Sequence, residues 1–147
     1  EQEDASGKVI RKMVEEAGLD VVFMKALPTD KTVLSTVFQR MADGNLADLI
    51  LTTGGTGFAP RDMTPEATNA VCDRMANGIA DAIRQYSLSI TGRAMLSRAV
   101  SGIRKKTLIV NLPGSPKAVK ESLEYVLPHL GHGLGILRGT DGECGNS

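Results

Sequence analysis

The stretch Leu49-Ile50-Leu51-Thr52-Thr53-Gly54-Gly55-Thr56-Gly57 runs from apolar, strand-forming residues straight into a glycine turn. Beyond the turn, Thr64-Pro65-Glu66 carries the marks of a helix start, with Thr64 as N-cap and Pro65 at the first helical position. Strand, tight turn and helix in that order form the repeating unit of α/β sheets. Ligands of such sheets bind beyond the carboxyl ends of the strands, so Thr52 to Gly57 marks the expected functional edge.

Working outward, Val9, Ile10, Met13, Val14 and Ala17 recur at helical spacing and Gly18 closes that helix. Val21-Val22-Phe23-Met24 reads as a short buried strand. Val33, Leu34, Val37, Phe38 and Met41 share one face of a second helix that ends near Asp43-Gly44. The helix opened at Thr64 is expected to be interrupted at Asn77-Gly78, before Ile79, Ile83 and Tyr86. From Arg98 to Leu112 the pattern predicts two strands joined around Arg104-Lys105-Lys106. Pro113-Gly114 then stops the second of these strands. Ser115-Pro116 starts a last helix carrying Val119, Leu123, Val126, Leu127 and Leu130. This alternation predicts a three-layer α/β/α domain on a mostly parallel central sheet.

Composition narrows the function. The chain has 147 residues with 17 basic against 17 acidic side chains, so no net field favours nucleic acid or an anionic membrane. Three Phe, two Tyr and no Trp are too few for a base-stacking platform. Cys72 and Cys144 form neither a disulfide framework nor a zinc ribbon; the first reads as a small core residue, the second as part of a polar tail. The opening Glu1-Gln2-Glu3-Asp4 is acidic where a secretory leader is basic, and no apolar run nears the ~18 residues of a membrane span. A reducing cytoplasm is the expectation.

Two turns have the size and chemistry of phosphate sites. Gly54, Gly55, Thr56 and Gly57 let successive N–H groups face an anion with no Cβ in the way. The run lacks both the P-loop Gly-Lys-Ser/Thr and the Gly-x-Gly-x-x-Gly dinucleotide spacing. In Asn111-Leu112-Pro113-Gly114-Ser115-Pro116-Lys117, Ser115 caps a helix whose first N–H groups favour an anion, and Lys117 adds a charge. Each turn is also compatible with a purely structural role. Asp62 follows the first turn, and Asp30 opens a helix where it also suits an N-cap. Both acids fall at strand ends and could hold Mg²⁺ directly or through water, with Arg61, Arg98 and Lys117 as candidate phosphate contacts. His129 and His132 have a possible ligand spacing but no HExxH glutamate and no third ligand nearby. No Gly-x-Ser-x-Gly elbow supports a hydrolase.

Taken together, Thr52 to Gly57, Pro60 to Thr68, Ala94 to Ala99 and Asn111 to Ala118 resemble, in the same order, the motifs of the molybdenum-cofactor-binding domain family. Within it the chain looks most like the molybdopterin adenylyltransferases. The resemblance implies a trimer that binds a pterin dithiolene bearing a terminal phosphate. It also implies Mg-ATP-dependent adenylylation of molybdopterin with release of pyrophosphate. Asp62 and Asp30 then match the family's functional acids, and the resemblance implies them as Mg²⁺ ligands. The turns Gly54 to Gly57 and Pro113 to Ser115 match its ligand-binding segments, with Ser97 and Arg98 in its Leu-Ser-Arg segment and Lys117 as a further contact. Hand-over of product to a molybdenum-insertion protein is the partner it suggests. Family members open with an apolar strand ahead of the loop seen here as Glu3-Asp4-Ala5-Ser6-Gly7. The expectation is therefore one domain over residues 1–147, incomplete at its N-terminus, with 139–147 as a flexible tail. Two other readings keep both turns: a non-catalytic relative that binds the pterin or its precursor, and a detached domain of a cofactor-insertion or gephyrin-like scaffold protein.

Overall fold

The computed structural model describes residues 4–140; the expected flexible tail lies, from residue 141 onward, outside the described residues, as does Cys144. Helix α1 (Ala5–Glu16) starts where the Asp4 carboxylate accepts the Gly7 N–H at 3.0 Å, and Gly18 leaves it at φ +88°. Then follow α2 (Lys31–Asp43), β1 (Leu49–Thr53), α3 (Thr64–Val71), the two-residue β2 (Arg74–Met75) and α4 (Gly78–Leu88). A short 3₁₀ helix (Gly92–Leu96) leads into β3 (Ser101–Arg104), β4 (Thr107–Leu112) and α5 (Pro116–Arg138). Helix α5 continues through Pro128, which can form no backbone N–H bond to the preceding turn. No helix among the described residues is long and apolar enough to cross a membrane.

The sheet order is β1-β4-β3-β2, and it is mixed rather than mostly parallel. Strands β1 and β4 run parallel with Thr53 opposite Leu112, whereas β3 with β4 and β2 with β3 are antiparallel. The cause is local. Only Lys105 and Lys106 separate β3 from β4, and two residues suffice for a hairpin but not for the crossover that parallel strands require. Lys105 takes φ +53° in that turn.

Strand β4 is buried along its whole length, and its alternation divides the core between two layers of helices. Leu108, Val110 and Leu112 meet Ile10 and Val14 of α1, Ile83 of α4, and Val119, Leu123 and Val126 of α5. Ile109 points the other way, into Leu34 and Phe38 of α2 and Ala67 and Val71 of α3. The three-layer α/β/α architecture follows from these two faces.

Two local expectations are corrected. Val21 to Met24 form no strand: Val22, Phe23 and Met24 are exposed, and no ladder joins the segment to the sheet. The segment and the outer edge of β1 instead line a common cavity of about 710 Å³, with Ile10, Leu34 and Phe38 among its walls. Without pairing groups at strand spacing, β-branched residues alone do not make a strand. The helix from Thr64 also ends earlier than expected, at Val71, because Cys72 turns to extended backbone (ψ 136°) and feeds β2. Thr64 itself is the first helical residue, and Met63 occupies the N-cap position without a side-chain bond.

Candidate functional site

At the carboxyl ends of β1 and β4 the two glycine turns meet. Parallel pairing brings Thr53 level with Leu112, and the Thr53 hydroxyl donates to the Pro113 carbonyl at 2.6 Å. A Cβ on Gly114 would lie 3.5 Å from the Gly54 Cα, so the two backbones are in van der Waals contact. Gly54 and Gly55 both sit in the left-handed region, at φ +86° and +71°, a conformation that costs other residues energy. Gly55 is restricted further: an added Cβ would fall 2.2 Å from Thr64 Oγ1 and 2.8 Å from Thr29 Cγ2. Thr56 is buried beneath the turn, and the Thr64 N–H returns to the Gly55 carbonyl at 3.1 Å.

Three helix N-termini converge there. Helix α3 leaves the first turn. Helix α5 leaves the second, with the Ser115 side chain accepting the Ala118 N–H at 3.2 Å. Helix α1 joins them because the Ser6 hydroxyl donates to the Gly114 carbonyl at 2.8 Å. Each helix contributes a positive dipole end, which favours an anion nearby, while the Gly7, Thr64 and Ala118 N–H groups are already paired within the protein. Gly114, Ser115 and Lys117 are all exposed at this edge.

The two acids stand on adjoining loops. Asp30 caps α2, its Oδ1 accepting the Val33 N–H at 2.9 Å, so the capping reading holds. Asp62 Oδ2 accepts the Ala59 N–H at 3.0 Å and closes a small turn. Thr29 joins these loops through a hydrogen bond from its hydroxyl to the Arg61 carbonyl at 2.7 Å. Each of these carboxylate bonds uses one oxygen. Among the described residues no group of three or more His, Cys, Asp or Glu is placed to hold a metal. Asp30 and Asp62 are two carboxylates on joined loops, a set that by itself makes no protein cage for a cation.

Arg98 is tied into the same region. Its guanidinium donates to the carbonyls of Gly57 (2.8 Å) and Asp62 (2.5 Å) and to Glu66 Oε2 (2.6 Å). This arginine, first as a hydrogen-bond donor, holds the Glu66 carboxyl below the usual carboxylate range. Ser97 ends the 3₁₀ helix, and its hydroxyl accepts the Ala99 N–H at 3.2 Å. Sequence reasoning missed Ser6, Thr29 and Thr53, hydroxyl residues that fasten the loops to one another. Each stands at the start of a helix or the end of a strand next to a glycine or acid already singled out, and that adjacency is the signal. Away from the site, His129 and His132 are exposed on α5. Burial pushes the Cys72 thiol up to about 11, as befits a group packed where a Cβ on Gly102 would come within 2.6 Å of its sulfur.

The profile of the family described as "Probable molybdopterin binding domain" matches residues 1–132. The chain belongs to that family. Among curated members of the molybdopterin-binding domain family, it is 40 % identical over 140 residues to a molybdopterin adenylyltransferase of Helicobacter pylori (strain ATCC 700392 / 26695). That match covers 94 % of this chain and 80 % of the relative. The solved structure of the molybdopterin biosynthesis enzyme MoaB from Thermus thermophilus superimposes with a TM-score of 0.87 at 44 % identity, covering 94 % of this chain and 87 % of that one. The molybdopterin biosynthesis Mog protein of Mycobacterium ulcerans gives a TM-score of 0.87 at 38 % identity, covering 94 % and 89 %. The family's α/β/α core is thus shared across nearly the whole chain.

Proposed function

We propose that the protein is a molybdopterin adenylyltransferase of molybdenum cofactor biosynthesis, using Mg-ATP and releasing pyrophosphate. The observation that carries this reading is the meeting of the two glycine turns at Thr53 and Pro113, with the two acid-bearing loops joined to each other through Thr29 and Arg61. The family name carried by relatives such as the H. pylori enzyme supports it.

In this reading the second turn and the N-termini of α1 and α5 take the terminal phosphate of molybdopterin. Gly114 and Ser115 offer backbone there, and Lys117 offers charge. The first turn, Gly54 to Gly57, orients the acceptor against the nucleotide. One phosphate oxygen of molybdopterin attacks the α-phosphorus of ATP; the bond from that phosphorus to the bridging oxygen of pyrophosphate breaks, and pyrophosphate departs with its electrons. The attacking oxygen is already anionic at neutral pH, so no strong base is needed, and positioning with charge compensation does most of the work. Asp62 and Asp30 would hold Mg²⁺, which supplies charge neutralisation on the triphosphate. A homotrimer, hand-over of product to a molybdenum-insertion protein and a cytoplasmic setting complete the proposal.

The test is direct. Purified protein incubated with Mg-ATP and molybdopterin should yield adenylylated molybdopterin and pyrophosphate in equal amounts. Tight binding of molybdopterin without turnover would replace the enzyme with a carrier.

A further inference from the structure

Shaping the Asp62 loop and holding it in place are separate tasks, and the second bears on catalysis only if the adenylyltransferase reading above is right. Residues 57–62 leave the sheet and return to α3 with little attachment of their own. Ala59 and Asp62 bond to each other in both directions, Ala59 N–H to Asp62 Oδ2 at 3.0 Å and Asp62 N–H to the Ala59 carbonyl at 2.9 Å. Those bonds shape a turn but do not say where the turn sits. Phe58, Pro60 and Arg61 are exposed, so packing does not say so either. One side is fixed by Thr29.

The other side is fixed by a residue 36 positions away from Asp62. Arg98 grips both ends of the loop, with Nε to the Gly57 carbonyl and Nη2 to the Asp62 carbonyl, while its own backbone N–H donates to the Thr56 carbonyl at 2.8 Å. Its remaining nitrogen, Nη1, is aimed by Glu66, in the first turn of α3. The segment bearing Arg98 is anchored in turn. Arg84 of α4 donates through Nε to the Ser97 carbonyl at 3.1 Å and through Nη2 to the Ala99 carbonyl, the two neighbours of Arg98.

We propose that Arg98, oriented by Glu66 and seated by Arg84, is the positioning residue that sets the Asp62 carboxylate against the substrates, and is not itself a phosphate ligand. The fork geometry is what the task requires. A planar guanidinium can donate in three directions at once, whereas an ammonium on a flexible stem cannot reproduce two carbonyls and a carboxylate in fixed relation. A loop displaced by about an ångström would lower turnover without much change in how tightly the substrates are held.

The experiment uses the whole chain as wild type, Arg98→Lys, Arg98→Ala and Glu66→Gln. Amide exchange is read by NMR at Ala59 and Asp62, with Ile109 in β4 as internal reference. Arg98→Lys should accelerate exchange at both loop amides by about tenfold or more, and Glu66→Gln, whose amide oxygen still accepts from Nη1 without the charge, by less, while Ile109 is unchanged. With Mg-ATP and molybdopterin, Arg98→Lys should lose about 10²-fold in kcat and Glu66→Gln a smaller factor, with KM for molybdopterin within about twofold of wild type in both. Added guanidinium ion should restore part of the turnover of Arg98→Ala, and ammonium should not.

Unchanged loop exchange in Arg98→Lys and Glu66→Gln would overturn the proposal, whatever the kinetics. So would an Arg98→Lys enzyme with near-normal kcat and a raised KM, beside an unaffected Glu66→Gln, because that is the signature of a charge contact to phosphate. If wild type itself makes no adenylylated product, the functional reading fails, and the exchange measurement still decides whether Arg98 holds the loop.

Discussion

The Thr29 hydroxyl donates to the Arg61 carbonyl across 2.7 Å, joining the loop that carries Asp30 to the loop that carries Asp62. Neither acid is brought to the other by secondary structure, since one caps α2 and the other precedes α3. Thr29→Val keeps the branched shape and deletes the donor. The bond lies at the surface, so stability should fall by only about 0.5–1 kcal/mol in urea denaturation. Adenylyl transfer should fall more, by about tenfold in kcat, because the two acids lose their common register. Unchanged turnover would mean that Asp30 and Asp62 need no such register.

The neighbouring glycines separate two kinds of constraint. Gly54 at φ +86° has nothing within 4 Å of an added Cβ, so Gly54→Ala should cost only the left-handed backbone penalty of about 1–2 kcal/mol. Gly55 at φ +71° faces Thr64 Oγ1 at 2.2 Å and Thr29 Cγ2 at 2.8 Å. Thr64 is 2 % exposed and cannot swing aside. Gly55→Ala should therefore destabilise by about 1–3 kcal/mol beyond Gly54→Ala, read as the difference between their urea midpoints.

Acid should loosen the same region. The Glu66 carboxyl is held below its ordinary range, first by its hydrogen bond from Arg98. A group whose pKa is lowered by folding stabilises the folded state above its unfolded pKa, and that contribution disappears as pH falls through the lower, folded value. Stability should thus decline as pH drops below about 4.3, and Glu66→Gln should remove part of that decline. The pair is about a third exposed on each side, so the flattening should be modest. Denaturation midpoints of the two proteins, compared from about pH 6 to about pH 3, check the sign.

Asn111 is a structural hub in β4. It is fully buried, and its amide oxygen accepts the Val100 N–H at 3.1 Å while its nitrogen donates to Thr52 Oγ1 and Thr68 Oγ1 at 3.1 and 3.0 Å. One side chain thereby ties β4 to β1, to α3 and to the segment leading from Arg98. Asn111→Leu should lower stability by about 2–4 kcal/mol in thermal or urea unfolding, since the buried Thr68 hydroxyl and two half-buried polar groups lose their partner at once.

Much of this fold is legible in the residues themselves. Leu49 to Thr53, Thr107 to Leu112 and the two glycine turns behave as their patterns suggest, because each apolar run finds a pairing partner and each turn needs left-handed or tightly approached backbone. The failures have the opposite cause. Val21 to Met24 has strand chemistry but no adjoining ladder, and Arg74-Met75 pairs with β3 without any strand signature, because a two-residue bridge is dictated by its neighbour. What was legible of the candidate site is the grouping of its segments: the two turns meet through Thr53 and Pro113, and the loops of Asp30 and Asp62 are joined through Thr29 and Arg61. Arg98, expected as a phosphate contact, could not be read in its contacts, because a guanidinium that reaches Gly57, Asp62 and Glu66 leaves no trace in sequence spacing.

The most exposed expectation is Asp62→Asn. Asp62 Oδ2 accepts the Ala59 N–H, and the amide oxygen of asparagine can accept the same bond with the same shape. The Arg98 grip acts on the Asp62 carbonyl, which the substitution leaves in place. The turn should therefore persist, with stability in urea shifted by less than about 1 kcal/mol and molybdopterin bound nearly as before. What disappears is one negative charge where Mg²⁺ and the triphosphate would lie, an interaction that counts most as charge redistributes toward pyrophosphate. Turnover should drop by about 10²-fold or more with little change in KM for molybdopterin. Near-normal kcat in a folded Asp62→Asn protein would assign Asp62 to the turn alone and return the search for the metal-holding acid to Asp30.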